Sequence, residues 1–264
     1  MKKTYFPVLS IAGSDPSSGA GIQADLITIA ALGGYACTAI TAITVQNTLG
    51  VSGIYPVPAQ AVREQVEAIL TDIKPLAIKI GMLHRLEIVK EVIDILSQFP
   101  KVPIVLDPVF LSSSGHPLLD EEGIQLMIEQ LFPLVTVLTP NLTEASWLLG
   151  KEIKEKDQMP EAAKELLKFG AKSVLLKGGH LEEDVLSDCL VKSSGEMFFL
   201  DHPKVVSNNT HGTGCTLSSA IAVNLAQGFS VEYAVERATE YVIKSIEGGK
   251  DYQLGGGNGP LKHI

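Results

Sequence analysis

Cysteine is scarce in this chain of 264 residues: Cys37, Cys189 and Cys215 are its only three, far apart and odd in number. No CxxC pair occurs. Neither a disulfide framework nor a zinc cage is therefore expected, and a reducing, cytoplasmic compartment is. Basic residues are few as well. Lys+Arg total 21 against 30 Asp+Glu, a formal net charge of −9. A phosphate backbone needs a basic surface, so no nucleic-acid partner is expected. Long apolar runs are absent, so no membrane span is expected. Met1-Lys2-Lys3 resembles the start of a signal peptide, but the apolar stretch behind it is short, contains Pro7 and ends at Gly13-Ser14-Asp15-Pro16. It reads as a first strand. The histidines (His84, His116, His180, His202, His211 and His263) are never paired at metal-ligand spacing. No G-x-S-x-G elbow points to a serine hydrolase. No P-loop exists either, because Gly150-Lys151 and Gly249-Lys250 are each followed by an acid.

What is present is a large apolar fraction, 45% against 19% charged, enough for a sizeable core. Short apolar runs alternate with helical periodicity. Phe6–Ala12, Ala36–Val45, Leu76–Ile80, Ile104–Leu106, Val135–Leu138 and Ser173–Leu176 read as strands. Ile22–Leu32, Ala59–Leu70, Glu87–Gln98, Glu121–Leu131, Thr143–Leu149 and Pro160–Phe169 read as helices. Val185–Val191 and Glu196–Asp201 suggest a hairpin, followed by helices at Gly214–Ala226 and Val231–Glu247 and a glycine-rich tail at Gly255–Gly259. The expectation is one α/β domain over residues 1–264. Its central sheet is mostly parallel, flanked by helices on both faces, with a small β-hairpin near 185–201.

Ligands of such sheets bind beyond the carboxyl ends of the strands. Polar clusters fall there: Gly13–Gly21, Gln46-Asn47, Asp107, Asn141, Lys177 and Asn209–Cys215. Gly19-Ala20-Gly21-Ile22-Gln23-Ala24 fits the dinucleotide pattern G-x-G-x-x-G/A, but Thr41–Asn47 holds no ribose-binding carboxylate. The same glycines could serve tight helix–strand packing. In Asn209-Thr210-His211-Gly212-Thr213-Gly214-Cys215-Thr216, small residues open a helix whose N–H groups suit an anion, or form an ordinary glycine turn. Cys215 is there either a thiol activated by the helix terminus or a small buried residue. Glu144 could hold a hydrated Mg²⁺, while Asn141 caps the helix. Asp107-Pro108 could face a metal or phosphate, or be turn chemistry. Lys177-Gly178-Gly179-His180 offers a cation on a flexible turn, or a solvated lysine.

These stretches resemble the ribokinase superfamily, and within it the hydroxymethylpyrimidine/phosphomethylpyrimidine kinase branch of thiamine biosynthesis. Ile11–Pro16, Gly19–Leu26, Val45-Gln46-Asn47-Thr48, Lys79-Ile80-Gly81-Met82-Leu83, Leu106–Val109, Thr139–Ala145, Leu176–His180, Asn209–Thr216 and Gly259–His263 all match, in order. The resemblance implies an ATP-dependent kinase acting first on 4-amino-5-hydroxymethyl-2-methylpyrimidine and then on its monophosphate, with Mg²⁺, as a homodimer. It implies that Gln46 bonds the pyrimidine and that Gly13, Asp25, Met82 and Val109 lie near it. Gly212, Thr213 and Gly214 would form the anion hole beside Cys215, the candidate base. Asn141 and Lys177, with Gly212 and Gly214, would face the nucleotide, and Glu144 and Asp107 its metal. A related branch phosphorylates pyridoxal and lacks the Gln46-Asn47-Thr48 triplet, so vitamin B6 kinase activity is the alternative. Two departures stand out: Ser18 replaces a common Gly, and Phe110-Leu111-Ser112-Ser113 replaces a stretch that usually ends in Lys.

Overall fold

The computed structural model describes residues 3–110, 118–179 and 184–264. His116, His180 and Leu111-Ser112-Ser113 lie outside them.

Nine strands form one sheet: β1 (Pro7–Ser14), β2 (Tyr35–Asn47), β3 (Gly50–Pro56), β4 (Ala77–Ile80), β5 (Ile104–Leu106), β6 (Val137–Leu138), β7 (Ser173–Leu176), β8 (Val185–Lys192) and β9 (Met197–Pro203). Their order is β3-β2-β1-β4-β5-β6-β7-β8-β9. The stretch from β2 to β7 is parallel. β3, β8 and β9 add antiparallel pairs at the two ends. The expected hairpin is thus a continuation of the main sheet. β3 escapes a reading by apolar runs, because it is a mostly exposed edge strand with no core-facing row.

Period-two alternation assigns the faces. Leu9, Ile11, Ile78, Ile80, Leu106 and Leu176 bury against α2 (Ala59–Ala68), α3 (Leu86–Ser97), α4 (Glu121–Leu126), α5 (Leu142–Leu149) and α6 (Met159–Leu167). Val8, Ala77, Val105, Val137 and Leu175 bury against α1 (Gly21–Ala31), α7 (Thr213–Ala226) and α8 (Val231–Gly249). Helices α2 and α4 each run on into a π turn, at Ile69–Ile73 and Met127–Leu131, which is why their apolar periodicity outlasts the regular helix. No helix among the described residues is long and apolar enough to cross a membrane.

The sheet order reverses beside β1, with β2 on one side and β4 on the other. That reversal opens a crevice at the strand ends. The residues just past the apolar ones on the second face continue the same alternation: Ser10 on β1, Lys79 on β4, Asp107 after β5 and Lys177 after β7. The fold therefore carries a polar group from each of four strands toward the N-terminus of α7.

Candidate active site

The crevice is a cleft of about 950 Å³, of the size that takes small molecules. Gly13, Gln46, Met82, Val109, Asp107, Asn141, Glu144, Lys177 and Gly212–Cys215 all line it.

Asp25 is the exception. Its carboxylate lies wholly buried behind the wall, where both oxygens accept from Lys79 Nζ at 2.8 Å. Ser10 Oγ donates to it at 2.5 Å and Ser219 Oγ at 2.7 Å. The expected position beside the substrate is corrected: Asp25 meets the cleft only through Lys79, which does line it. Burial works against the Lys79 charge, but Asp25, with smaller help from Cys215 and Asp107, outweighs it and the lysine stays protonated. Lys79 was missed as a functional residue, although a lysine inside the apolar run Leu76–Ile80 signals a buried partner.

At the start of α7, Gly212 takes φ +83°, and a Cβ on it would fall on the Gly19 carbonyl oxygen. Thr216 N donates to Gly212 O at 2.9 Å and starts the helical ladder. Thr213 N–H turns back to Thr210 O at 3.3 Å, and its hydroxyl does the same at 2.7 Å. Thr213 is thereby spent inside the turn. Gly214 and Cys215 keep the first-turn amides that a helix leaves without an internal partner. Together with the helix dipole they suit an anion.

Cys215 is half-buried in that turn. Loss of water pushes its thiol up to about 11, against the pull of Lys79 and of the Gly21 amide. The lowered pKa that an activated thiol needs is not what this environment produces.

Beyond Gly214 lies a charged group. Lys177 Nζ donates to Asp107 Oδ1 at 2.9 Å. A Cβ on Gly214 would come within 3.0 Å of Asp107 Oδ2 and 3.3 Å of Lys177 Nζ, so the glycine keeps this approach open. Asn141 and Glu144 form a capping box: Asn141 N donates to Glu144 Oε2 at 2.7 Å, and Glu144 N to Asn141 Oδ1 at 2.8 Å. Burial raises the Glu144 carboxyl to about 7, with Lys177 opposing and Asp107 adding to the rise. No set of three His, Cys, Asp or Glu among the described residues could cage a metal. Glu144 and Asp107 instead suit a hydrated divalent cation, which needs few carboxylates when phosphate oxygens complete its shell.

At the other end of the cleft, four polar residues meet. The Gln46 amide lies 3.1 Å from His211 Nε2 and 3.2 Å from Thr44 Oγ1. His211 Nε2 is also 3.0 Å from Asp15 Oδ2. Burial alone would raise the Asp15 carboxyl. Hydrogen bonds from His211, from the Ser17 side chain and from the Ser17 and Ala20 amides outweigh it and hold the group at about 2. The glycines of the dinucleotide-like pattern find local causes here. A Cβ on Gly19 would strike the His211 ring, and Gly21 takes φ +58° with its Cβ position against Gly13 O. Ser18, where resemblance expects glycine, also takes a left-handed φ, +63°. Asp15, Thr44 and His211 carried no assigned role in the sequence. Their shared signal is position, since all three lie at or beside the predicted strand and helix ends.

The glycine-rich tail closes this end. Gly257 N donates to Thr48 Oγ1 at 3.2 Å and Asn258 N to Thr48 O at 3.1 Å. His211 N donates to Gly259 O at 3.1 Å.

Comparison with known proteins identifies the family of the chain. A family model described as phosphomethylpyrimidine kinase matches residues 15–262. A hydroxymethylpyrimidine/phosphomethylpyrimidine kinase of Haemophilus influenzae is 40% identical over 259 residues, covering 97% of this chain and 96% of that protein. The thiamine biosynthesis bifunctional protein ThiED of Geobacter sulfurreducens is 43% identical across 100% of this chain, which spans about half (54%) of its length. Among solved structures, a phosphomethylpyrimidine kinase from Clostridium difficile superposes with TM-score 0.80 at 41% identity, covering 91% of this chain and 99% of that one. An ADP complex of Bacillus subtilis pyridoxal kinase superposes with TM-score 0.89 at 35% identity, covering 98% of each. By sequence and by its ribokinase-like fold, the chain belongs to the phosphomethylpyrimidine kinase family of phosphotransferases.

Proposed function

We propose that this chain phosphorylates the hydroxymethyl group of 4-amino-5-hydroxymethyl-2-methylpyrimidine with ATP, and then the resulting monophosphate to the diphosphate. The observation that carries the reading is one cleft lined by three groups. An amide suited to a flat aminopyrimidine, Gln46, sits at one end. The free amides of Gly214 and Cys215 lie at the first turn of α7. The Lys177–Asp107–Glu144 group lies beyond.

In this reading the Gly214 and Cys215 amides face the oxygens of the phosphoryl group in flight, where charge is spread. Lys177 and the α7 dipole add positive potential. Asn141 and Lys177 face the nucleotide phosphates. Mg²⁺, proposed on the chemistry of Glu144 and Asp107, neutralises phosphate charge when bound. A loose transition state asks little of a base, because the attacking hydroxyl gives up its proton late. With its thiol pushed up by burial, Cys215 is held in the protonated form at neutral pH. Cys215→Ser is therefore expected to keep kcat within about tenfold of wild type, whereas loss of a true general base costs about 10²–10⁴. A drop of that larger size, in steady-state assays of the folded variant, would return the base role to the thiol.

The function itself is tested by incubating the protein with Mg–ATP and the pyrimidine alcohol. Monophosphate and then diphosphate are expected, with slower turnover of pyridoxal. Faster turnover of pyridoxal, with no diphosphate formed, would overturn the assignment in favour of a vitamin B6 kinase. We also propose a cytoplasmic homodimer of one-domain chains. Exposed Ile43, Val45, Val51 and Tyr55 on β2 and β3 offer an apolar surface to a second copy. Sedimentation at twice the 28.2 kDa chain mass is expected, and a monomer at micromolar concentration would refute it.

A further inference from the structure

We propose that His211 is a positioning residue that fixes which way the Gln46 amide faces, and so selects an aminopyrimidine over a pyrimidine bearing oxygen at the same carbon. This rests on the proposed contact between Gln46 and the pyrimidine.

Counting protons along the hydrogen-bond chain fixes the orientation. Asp15 is ionised, and each of its oxygens only accepts. Oδ1 takes the Ser17 amide at 2.8 Å and the Ser17 hydroxyl at 2.7 Å, and Oδ2 takes the Ala20 amide at 2.9 Å. The imidazole nitrogen 3.0 Å from Oδ2 must then carry a proton, so His211 is N–H at Nε2. A nitrogen that holds a proton cannot accept one from Gln46. The structure sets Gln46 Nε2 at that spot, 3.1 Å away, so counting protons turns the amide over and puts the Gln46 oxygen there, sharing that proton. The other amide atom, now the NH₂ group, lies 3.2 Å from Thr44 Oγ1. Thr44 can accept there, because its single proton is already donated to Ser14 O at 2.8 Å. Every donor in the chain Ala20–Asp15–His211–Gln46–Thr44–Ser14 then has an acceptor, and the opposite amide orientation sets two donors face to face.

The ring of His211 is itself held. It packs where Gly19 has no side chain, and its backbone N–H is tied to Gly259 O at 3.1 Å. So held, the Gln46 amide offers one free lone pair on oxygen and one free N–H. An aminopyrimidine edge supplies the complement, an amine N–H beside a ring nitrogen that accepts. A pyrimidinone edge presents the reverse pattern. It binds only if the amide turns over, which breaks the contacts to His211 and Thr44. Sites built to bond one pattern reject the other strongly.

The test compares the 4-amino pyrimidine alcohol with its 4-oxo analogue as ligands of wild type and His211→Phe, by calorimetry, with folding checked by circular dichroism. Phenylalanine keeps a flat ring against Gly19 and removes the proton. Wild type is expected to favour the amino compound by about a hundredfold or more, and His211→Phe to lose about tenfold or more of that preference. A merely structural role would weaken both ligands alike, and an unchanged ratio overturns the proposal. The second readout needs no variant. Nitrogen-15 NMR of histidine-labelled wild type is expected to show His211 Nε2 protonated in the ligand-free protein, and a bare Nε2 overturns the proposal. Should wild type bind neither pyrimidine, the substrate reading fails while the NMR result still decides the orientation of the amide.

Discussion

Gly212→Val is expected to abolish phosphoryl transfer, lowering kcat by at least about 10²–10³. Two effects combine. Valine is β-branched and the position requires φ +83°, where a single non-glycine residue costs about 1–2 kcal/mol and a branched one more. Its Cβ would also meet the Gly19 carbonyl, which is backbone and cannot swing aside. The turn must open, and the Gly214 and Cys215 amides lose the aim that a preorganised anion site depends on. Steady-state kinetics with ATP read the rate, and circular dichroism reports whether the variant is folded. A folded variant turning over at the wild-type rate would remove the cradle from the mechanism.

Asp25→Ala is expected to produce the largest loss of stability, about 3–5 kcal/mol, by leaving the buried Lys79 ammonium without its counter-charge. The lysine and the aspartate side chains are both 0% exposed, so each charge depends on its partner rather than on solvent. Ser10 and Ser219 would remain to face it, but hydroxyls do not neutralise a charge. In thermal denaturation the transition should fall by roughly 10 °C or more. Asp25→Leu combined with Lys79→Met should recover much of that loss, since removing both charges removes the desolvation cost as well. Were Asp25 a direct substrate contact, the single variant would instead raise KM and leave the melting temperature in place. That pattern would move the carboxylate from the wall into the cleft.

Most of the sheet was legible because its strands obey a simple rule. A strand buried on both faces is a short apolar run, and Leu76–Ile80, Ile104–Leu106 and Ser173–Leu176 are such runs. β3 was not legible for the same reason, since Gly50–Pro56 buries no row of side chains and is held by pairing with β2. At the site, residues after strand ends were readable one at a time, and nearly all of them line the cleft. What local sequence could not supply is direction. Asp25 sits on the first helix, close in sequence to the glycine turn, yet its helical phase aims it at β4. Thr213 sits between two glycines of the cradle, but its own amide closes on Thr210. The pairing of His211 with Asp15 joins residues 196 positions apart, a distance no local motif records.

The tail bears on how the protein folds. Thr48 and Gly257 are 209 residues apart in the chain, so their contact closes one of the longest loops available to it. Closure entropy grows only with the logarithm of loop length, but contacts of such separation stabilise only after the intervening sheet exists. Docking of residues 257–259 onto Thr48 and the His211 turn is expected to be a late event, after the strands have paired. A refolding experiment that follows ligand binding should accordingly lag behind one that follows secondary structure, because the Gln46 end of the cleft is finished only when the tail arrives.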